Sequence, residues 1–88
     1  IMLKHLFLET NFLIELDIYA FQSLNMLERL EFSNNYLIKL DEFKFEELKS
    51  CQKLLFKSNS INEINPNAFK NMSSLSDLTI ENNNIHNI

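Results

Sequence analysis

Few side chains in this sequence stand where they could make or break a bond. His5 and His86 lie almost the whole chain apart, so a shared metal site between them is not expected. Cys51 is the lone cysteine and cannot form an internal disulfide. It occupies a position that is otherwise leucine, which makes it a small buried hydrophobe without an exposed base beside it, not a Cys/His nucleophile. Asp41-Glu42 and Glu46-Glu47 are adjacent carboxylates within one loop and read as a solvated acidic patch. The chain has no glycine, so a Gly-rich phosphate loop is ruled out. These readings leave no catalytic residue, no cofactor and no metal, and the protein is expected not to be an enzyme.

The residue that does recur is asparagine. Asn11, Asn35, Asn59 and Asn83 follow one another at a constant step of 24 residues. A carboxamide carries both a donor and acceptors, so stacked copies can satisfy inward-pointing backbone groups within and between successive segments. A buried backbone group left unpaired costs about 1–3 kcal/mol. Asn also tolerates the left-handed backbone that glycine usually supplies. The four Asn are therefore expected to form a structural ladder.

The elements that must hold such a ladder recur with it. The copies run over residues 3–26, 27–50 and 51–74, with a partial fourth over 75–88, free of insertions. The first column holds Leu3, Leu27, Cys51 and Leu75; the fourth holds Leu6, Leu30, Leu54 and Leu78; the sixth holds Leu8, Phe32, Phe56 and Ile80. The eleventh and fourteenth continue the apolar set with Leu13, Leu37, Ile61, Ile85 and Leu16, Leu40, Ile64, Ile88. Complete copies add Phe21, Phe45, Phe69 and Leu24, Leu48, Met72. Columns four and six are one residue apart and predict a short strand with alternate side chains turned inward. No copy shows a second strand-like run or a long helical stripe. Each copy is expected to be one coil that buries its apolar face only against neighbours, with parallel strands about 4.8 Å apart and a right-handed crossover.

LxxLxLxxNxLxxL followed by Phe and Leu resembles the leucine-rich repeat, in the typical 24-residue class common in extracellular proteins. The resemblance covers essentially the whole chain, taken as one domain, 1–88, cut from a longer array. It implies an α/β-class solenoid: a right-handed coil with a parallel concave β-sheet and a convex side of loops or short 3₁₀ turns. The Phe column is then the spine of the convex side, with small Ala20 and Ala68 before it. Cys51, Lys44 and Phe43 depart from the pattern and bear on local packing, not on the fold.

The strand positions outside the core are open to recognition. The third column offers His5, Arg29, Lys53 and Asp77; the fifth offers Phe7, Glu31, Leu55 and Thr79; Lys57 lies in the seventh. Glu31 is expected to pair with Arg29 and Lys53 across strands. Phe7 and Leu55 are apolar at solvent-facing positions, which suits partner anchors. His5, Phe7, Arg29, Glu31, Lys53, Leu55 and Lys57 are the candidate ligand contacts. Phe12 over Tyr36 and Ile14 over Ile38 form a second apolar ladder on the flank past the Asn column.

A net charge of −4 is expected to exclude a nucleic-acid partner, because neutralising phosphates needs a basic face. No apolar run approaches the roughly 20 residues needed to span a bilayer, so membrane insertion by this segment is not expected. Asn71-Met72-Ser73 is an acceptor pattern for N-glycosylation on the return path. The resemblance extends to Toll-type receptors, secreted immune repeat proteins and matrix proteoglycans. It implies part of an extracellular or cell-surface ectodomain that binds a protein ligand or co-receptor, beside flanking repeats and caps of the parent chain. The alternatives are a structural spacer within a longer array and a regulatory repeat region attached to an enzyme.

Overall fold

The computed structural model describes residues 3–16, 21–41, 45 and 47–85. Ala20, Phe43, Lys44, Glu42, Glu46, His86 and Ile88, named above, lie outside the described residues. Among the described residues six short strands follow in chain order: β1 His5–Phe7, β2 Arg29–Glu31, β3 Lys39–Leu40, β4 Lys53–Leu55, β5 Glu63–Ile64 and β6 Asp77–Thr79. β1, β2, β4 and β6 form one parallel sheet in that order, each displaced from the last by one 24-residue copy. The described residues contain no helix, and those of the return paths lie mostly in turns.

One expectation about the elements fails. β3 and β5 pair in parallel as a second, two-stranded sheet, with Lys39 opposite Glu63 and Leu40 opposite Ile64. Each copy from the second to the third therefore carries two extended stretches. The run is only two residues long, so hydrophobic alternation has no room to reveal it. Backbone bonds between coils create it: Tyr36 N to Leu13 O (2.7 Å), Ser60 N to Leu37 O (2.9 Å) and Asn84 N to Ile61 O (2.9 Å) repeat one coil apart just before it.

The core lies between the two sheets and the return path. Leu27, Leu30, Leu37, Leu40, Leu48, Cys51, Leu54 and Ile61 are fully buried or nearly so. Five phenylalanines fill the rest in two interleaved rows. Phe21, Phe45 and Phe69 stack along the return path at 5.8 Å per step, and Phe32 stacks on Phe56 at 5.3 Å behind the strands. Phe21 meets Phe32 edge-on at 5.7 Å and Phe45 meets Phe56 at 5.6 Å, so the rows lock together. Such contacts contribute about 0.5–1.5 kcal/mol each beyond area burial. In the third copy, Asn65 opens the return path by accepting the Asn67 N–H on its side-chain oxygen (2.8 Å). Pro66 sits within that turn, and buried Ala68 follows it.

The Asn column lies where the chain leaves the strand and turns. Asn35 Oδ1 accepts the backbone N–H groups of Asn11 (2.9 Å) and Leu13 (3.0 Å), while its Nδ2 donates to Leu8 O and Phe32 O (both 2.9 Å). Asn59 repeats this with Leu37 N, Phe32 O and Phe56 O, and Asn83 with Ile61 N, Phe56 O and Ile80 O. Phe32 O and Phe56 O thus each accept from two Asn side chains, one in their own coil and one in the next.

The left-handed backbone is not where the sequence reading put it. Thr10, Asn34, Ser58 and Asn82, each one residue before the ladder, have φ of 59°, 61°, 58° and 59°. The reversal falls just before the ladder residue in all four copies, and in the first copy Phe12, just past it, is left-handed as well at φ 60°. This column already holds two Asn, yet Thr and Ser fill it in the other copies, at a cost of roughly 1–2 kcal/mol per non-glycine residue.

Candidate functional site

Strand alternation sends Leu6, Leu30, Leu54 and Leu78 inward and turns their neighbours out. Two rows result. His5, Arg29, Lys53 and Asp77 stand in register across the sheet, and so do Phe7, Glu31, Leu55 and Thr79. Sheet register alone brings these residues together from positions 24 apart in the chain.

The first two strands carry a connected cluster. Arg29 Nη2 lies 3.3 Å from Glu31 Oε2, and the Arg29 guanidinium carbon sits 5.7 Å from the centre of the Phe7 ring. His5 meets the same ring edge-on at 6.2 Å. Phe7 remains 52% exposed. Arg29 and Glu31 are half-buried, and near the surface such an ion pair contributes about 0–1 kcal/mol and a cation–π contact about 0.5–2 kcal/mol. Neither adds much stability, but together they hold a cation and an aromatic face in one orientation. Arg29 Nε is buried with no partner among the described residues. Glu31 pairs along its own strand with Arg29, two residues away, where the sequence reading also had it reach Lys53.

The remaining candidates are less tightly held. Lys53 and Lys57 are exposed and Leu55 is half-buried, so Phe7 is the strand-face apolar group most open to solvent. His5, Arg29 and Lys53 also border an open depression together with Glu28 and Gln52, which sequence reasoning missed. Their signal was a second column that is polar in every copy: Lys4, Glu28, Gln52 and Ser76. Asn71 is half-buried on the return path.

On the flank, Phe12 stacks on Tyr36 at 5.8 Å and 17°, and Phe12 is 70% exposed. Ile14 and Ile38 are exposed beside them and line a second depression with Glu15, Leu16, Lys39 and Asp41. Ser60 and Asn62 replace the apolar pair in the third copy, so the patch belongs to the first two coils.

Among the described residues no group of three His, Cys, Asp or Glu side chains is placed to hold a metal. The acid pairs and the two histidines cannot be compared, since Glu42, Glu46 and His86 lie outside the described residues. Cys51 is fully buried, and its thiol faces Lys53 O at 3.4 Å. Burial pushes its pKa up, with the backbone hydrogen bond pulling the other way. A thiol kept protonated in the core is a poor nucleophile. No helix among the described residues is long and apolar enough to cross a membrane. The chemistry on offer is that of a surface: a cation over an aromatic ring, and a row of exchangeable side chains.

The model of a leucine-rich repeat matches residues 33–85, more than half the chain. The chain belongs to the leucine-rich repeat family. Its solenoid is similar to one in the crystal structure of a TLR13–ssRNA13 complex, a Toll-type protein, with a TM-score of 0.84 and 27% sequence identity. The match covers 96% of this chain and 11% of that one, so this leucine-rich-repeat segment spans about a tenth of that protein. No curated protein sequence matches it.

That complex overturns one expectation. Net charge was taken to exclude nucleic acid, yet a leucine-rich-repeat protein of the same fold is found with an RNA. Net charge averages over the whole surface, whereas phosphates respond to the local potential of one face. Here the two strand-face rows balance Arg29 and Lys53 against Glu31 and Asp77, while the chain as a whole carries −4.

Proposed function

We propose that this segment is a recognition module within a leucine-rich-repeat ectodomain. Its strand face meets a protein ligand or co-receptor through His5, Phe7, Arg29, Glu31, Lys53, Leu55 and Lys57. The parent is proposed to work outside the cytoplasm, secreted, at the cell surface or on the luminal side of an endosomal membrane. The observation that carries this reading is the cluster in which an exposed Phe7 is bracketed by His5 and Arg29. An accessible aromatic ring beside an arginine held in fixed orientation combines residue types that often dominate binding energy. The family and the extended surface of a stacked array both favour binding over chemistry.

A photo-crosslinking residue at position 7 of the parent protein, compared with one at exposed Asn67 on the return path, tests the reading. Protein adducts from position 7 only, lost when Arg29, Lys53 and Lys57 are reversed to Glu together, are the expected result. RNA adducts would change the partner class. Equal labelling from both positions, or none from position 7, refutes strand-face recognition and leaves the spacer reading. The Phe12–Tyr36 stack favours the flank as a second contact surface. A crosslinker at position 36 should then capture the same partner as position 7.

A further inference from the structure

Thirteen asparagines occur in the chain, and most are committed to the fold or lack the context for modification. The ladder residues Asn35, Asn59 and Asn83 spend their carboxamides on backbone groups, and none is followed two residues later by Ser or Thr. Asn71 differs on both counts. It heads Asn71-Met72-Ser73, the only acceptor triplet in the sequence. Among the described residues no hydrogen bond engages its side chain. Its neighbours shape the local backbone into consecutive tight turns: Met72 N donates to Phe69 O (3.2 Å), Ser73 N to Asn71 O (3.1 Å) and Leu75 N to Met72 O (3.3 Å). Met72 is buried and pins the triplet to the core, while Ser73 and Ser74 are exposed. Half-buried Asn71 and exposed Ser73 thus flank the anchored Met72 on one turn. The turn lies on the return path, away from the His5–Phe7–Arg29 cluster.

We propose that Asn71 carries an N-linked glycan. In the transfer, a bond forms between Asn71 Nδ2 and C1 of the first sugar of a lipid-diphosphate-linked oligosaccharide. The C1–O bond to the diphosphate breaks, the lipid diphosphate leaves with that electron pair, and an amide proton passes to a base of the transferase. The glycan covers the return path of the third coil, which leaves the strand face and the Phe12–Tyr36 flank as the open surfaces. The proposal rests on the extracellular or luminal placement of the parent.

The full parent chain is expressed behind its own leader and, separately, behind a strong heterologous secretion leader. The peptide containing Asn71 is followed by mass spectrometry before and after amidase deglycosylation, which converts a glycosylated Asn to Asp. The expected result is Asn-to-Asp conversion at position 71 in both arms, absent in Ser73→Ala and retained in Ser73→Thr. An unmodified Asn71 in protein recovered from the medium of the heterologous arm overturns the proposal. Conversion in the heterologous arm with none under the native leader shows a competent acceptor and refutes the native placement instead.

Discussion

Replacing Asn59 by alanine separates the groups that depend on this side chain from those that do not. Its Oδ1 receives the Leu37 N–H at 3.1 Å, and Leu37 is completely buried, so that donor has no route to water once the acceptor is gone. An orphaned buried donor costs about 1–3 kcal/mol. The Nδ2 side is cushioned: Phe32 O still accepts from Asn35 (2.9 Å) and Phe56 O still accepts from Asn83 (3.0 Å). The expected loss is therefore about 1–3 kcal/mol, set mainly by one N–H. Chemical denaturation of the chain measures it, with exposed Asn62→Ala as a control expected to cost under about 0.5 kcal/mol. The shared carbonyl makes a sharper demand. Only when Asn35 and Asn59 are both removed does Phe32 O lose both Asn donors, so the double variant should lose about 0.5–3 kcal/mol more than the sum of the singles. Equal losses at Asn59 and Asn62, or strict additivity of the pair, would refute the ladder argument. Asn59→Asp keeps an acceptor for Leu37 but turns a carboxylate oxygen toward two carbonyls. Its carboxyl pKa would be raised in the folded state, so the variant should be least stable at neutral pH and recover as pH falls below the unfolded value.

Other outcomes follow from the same geometry. Phe56→Ala, which removes a ring packed on Phe32 and Phe45, should cost about 3–5 kcal/mol in denaturant unfolding, while Phe12→Ala on the flank should cost under about 0.5 kcal/mol. Ser58→Gly relieves a side chain held at φ 58° and should stabilise the chain by about 0.5–1 kcal/mol; a loss would mean the turn is not left-handed there. Cys51 has a folded pKa raised by burial above its ordinary value of 9.0, so its contribution is intact below that value and lost as pH climbs through the higher folded pKa. Thermal melts should accordingly stay level through neutral pH and fall only in strong alkali, and thiol alkylation should rise with denaturant as the opened fraction grows.

Much of this protein was legible from side-chain type and spacing because a stacked coil repeats its environment once per copy. Every 24th residue meets the same neighbours, so Leu30 and Leu54, Phe21 and Phe45, and the Asn column announce their surroundings in the chain itself. The parallel four-stranded sheet and its register follow from that period, since copies of equal length can only bring like columns opposite one another.

What the period leaves open is anything settled by a single contact between particular coils. The second sheet at Lys39–Leu40 and Glu63–Ile64 is too short to leave an alternating trace, and backbone bonds between coils produce it. The left-handed position fell one residue before the Asn ladder, where Thr10 and Ser58 give no hint of it by type. The Arg29–Glu31 pair and the seat of Arg29 over Phe7 depend on which rotamers the neighbouring strands permit. Composition misled most about partners: total charge is a sum over residues, whereas a binding face is a choice among them that only the folded sheet makes. The repeat and its core were thus written in the chain, while the arrangement of the exposed face was decided by three-dimensional packing, because periodicity encodes shared environments and that face is made of the residues that break them.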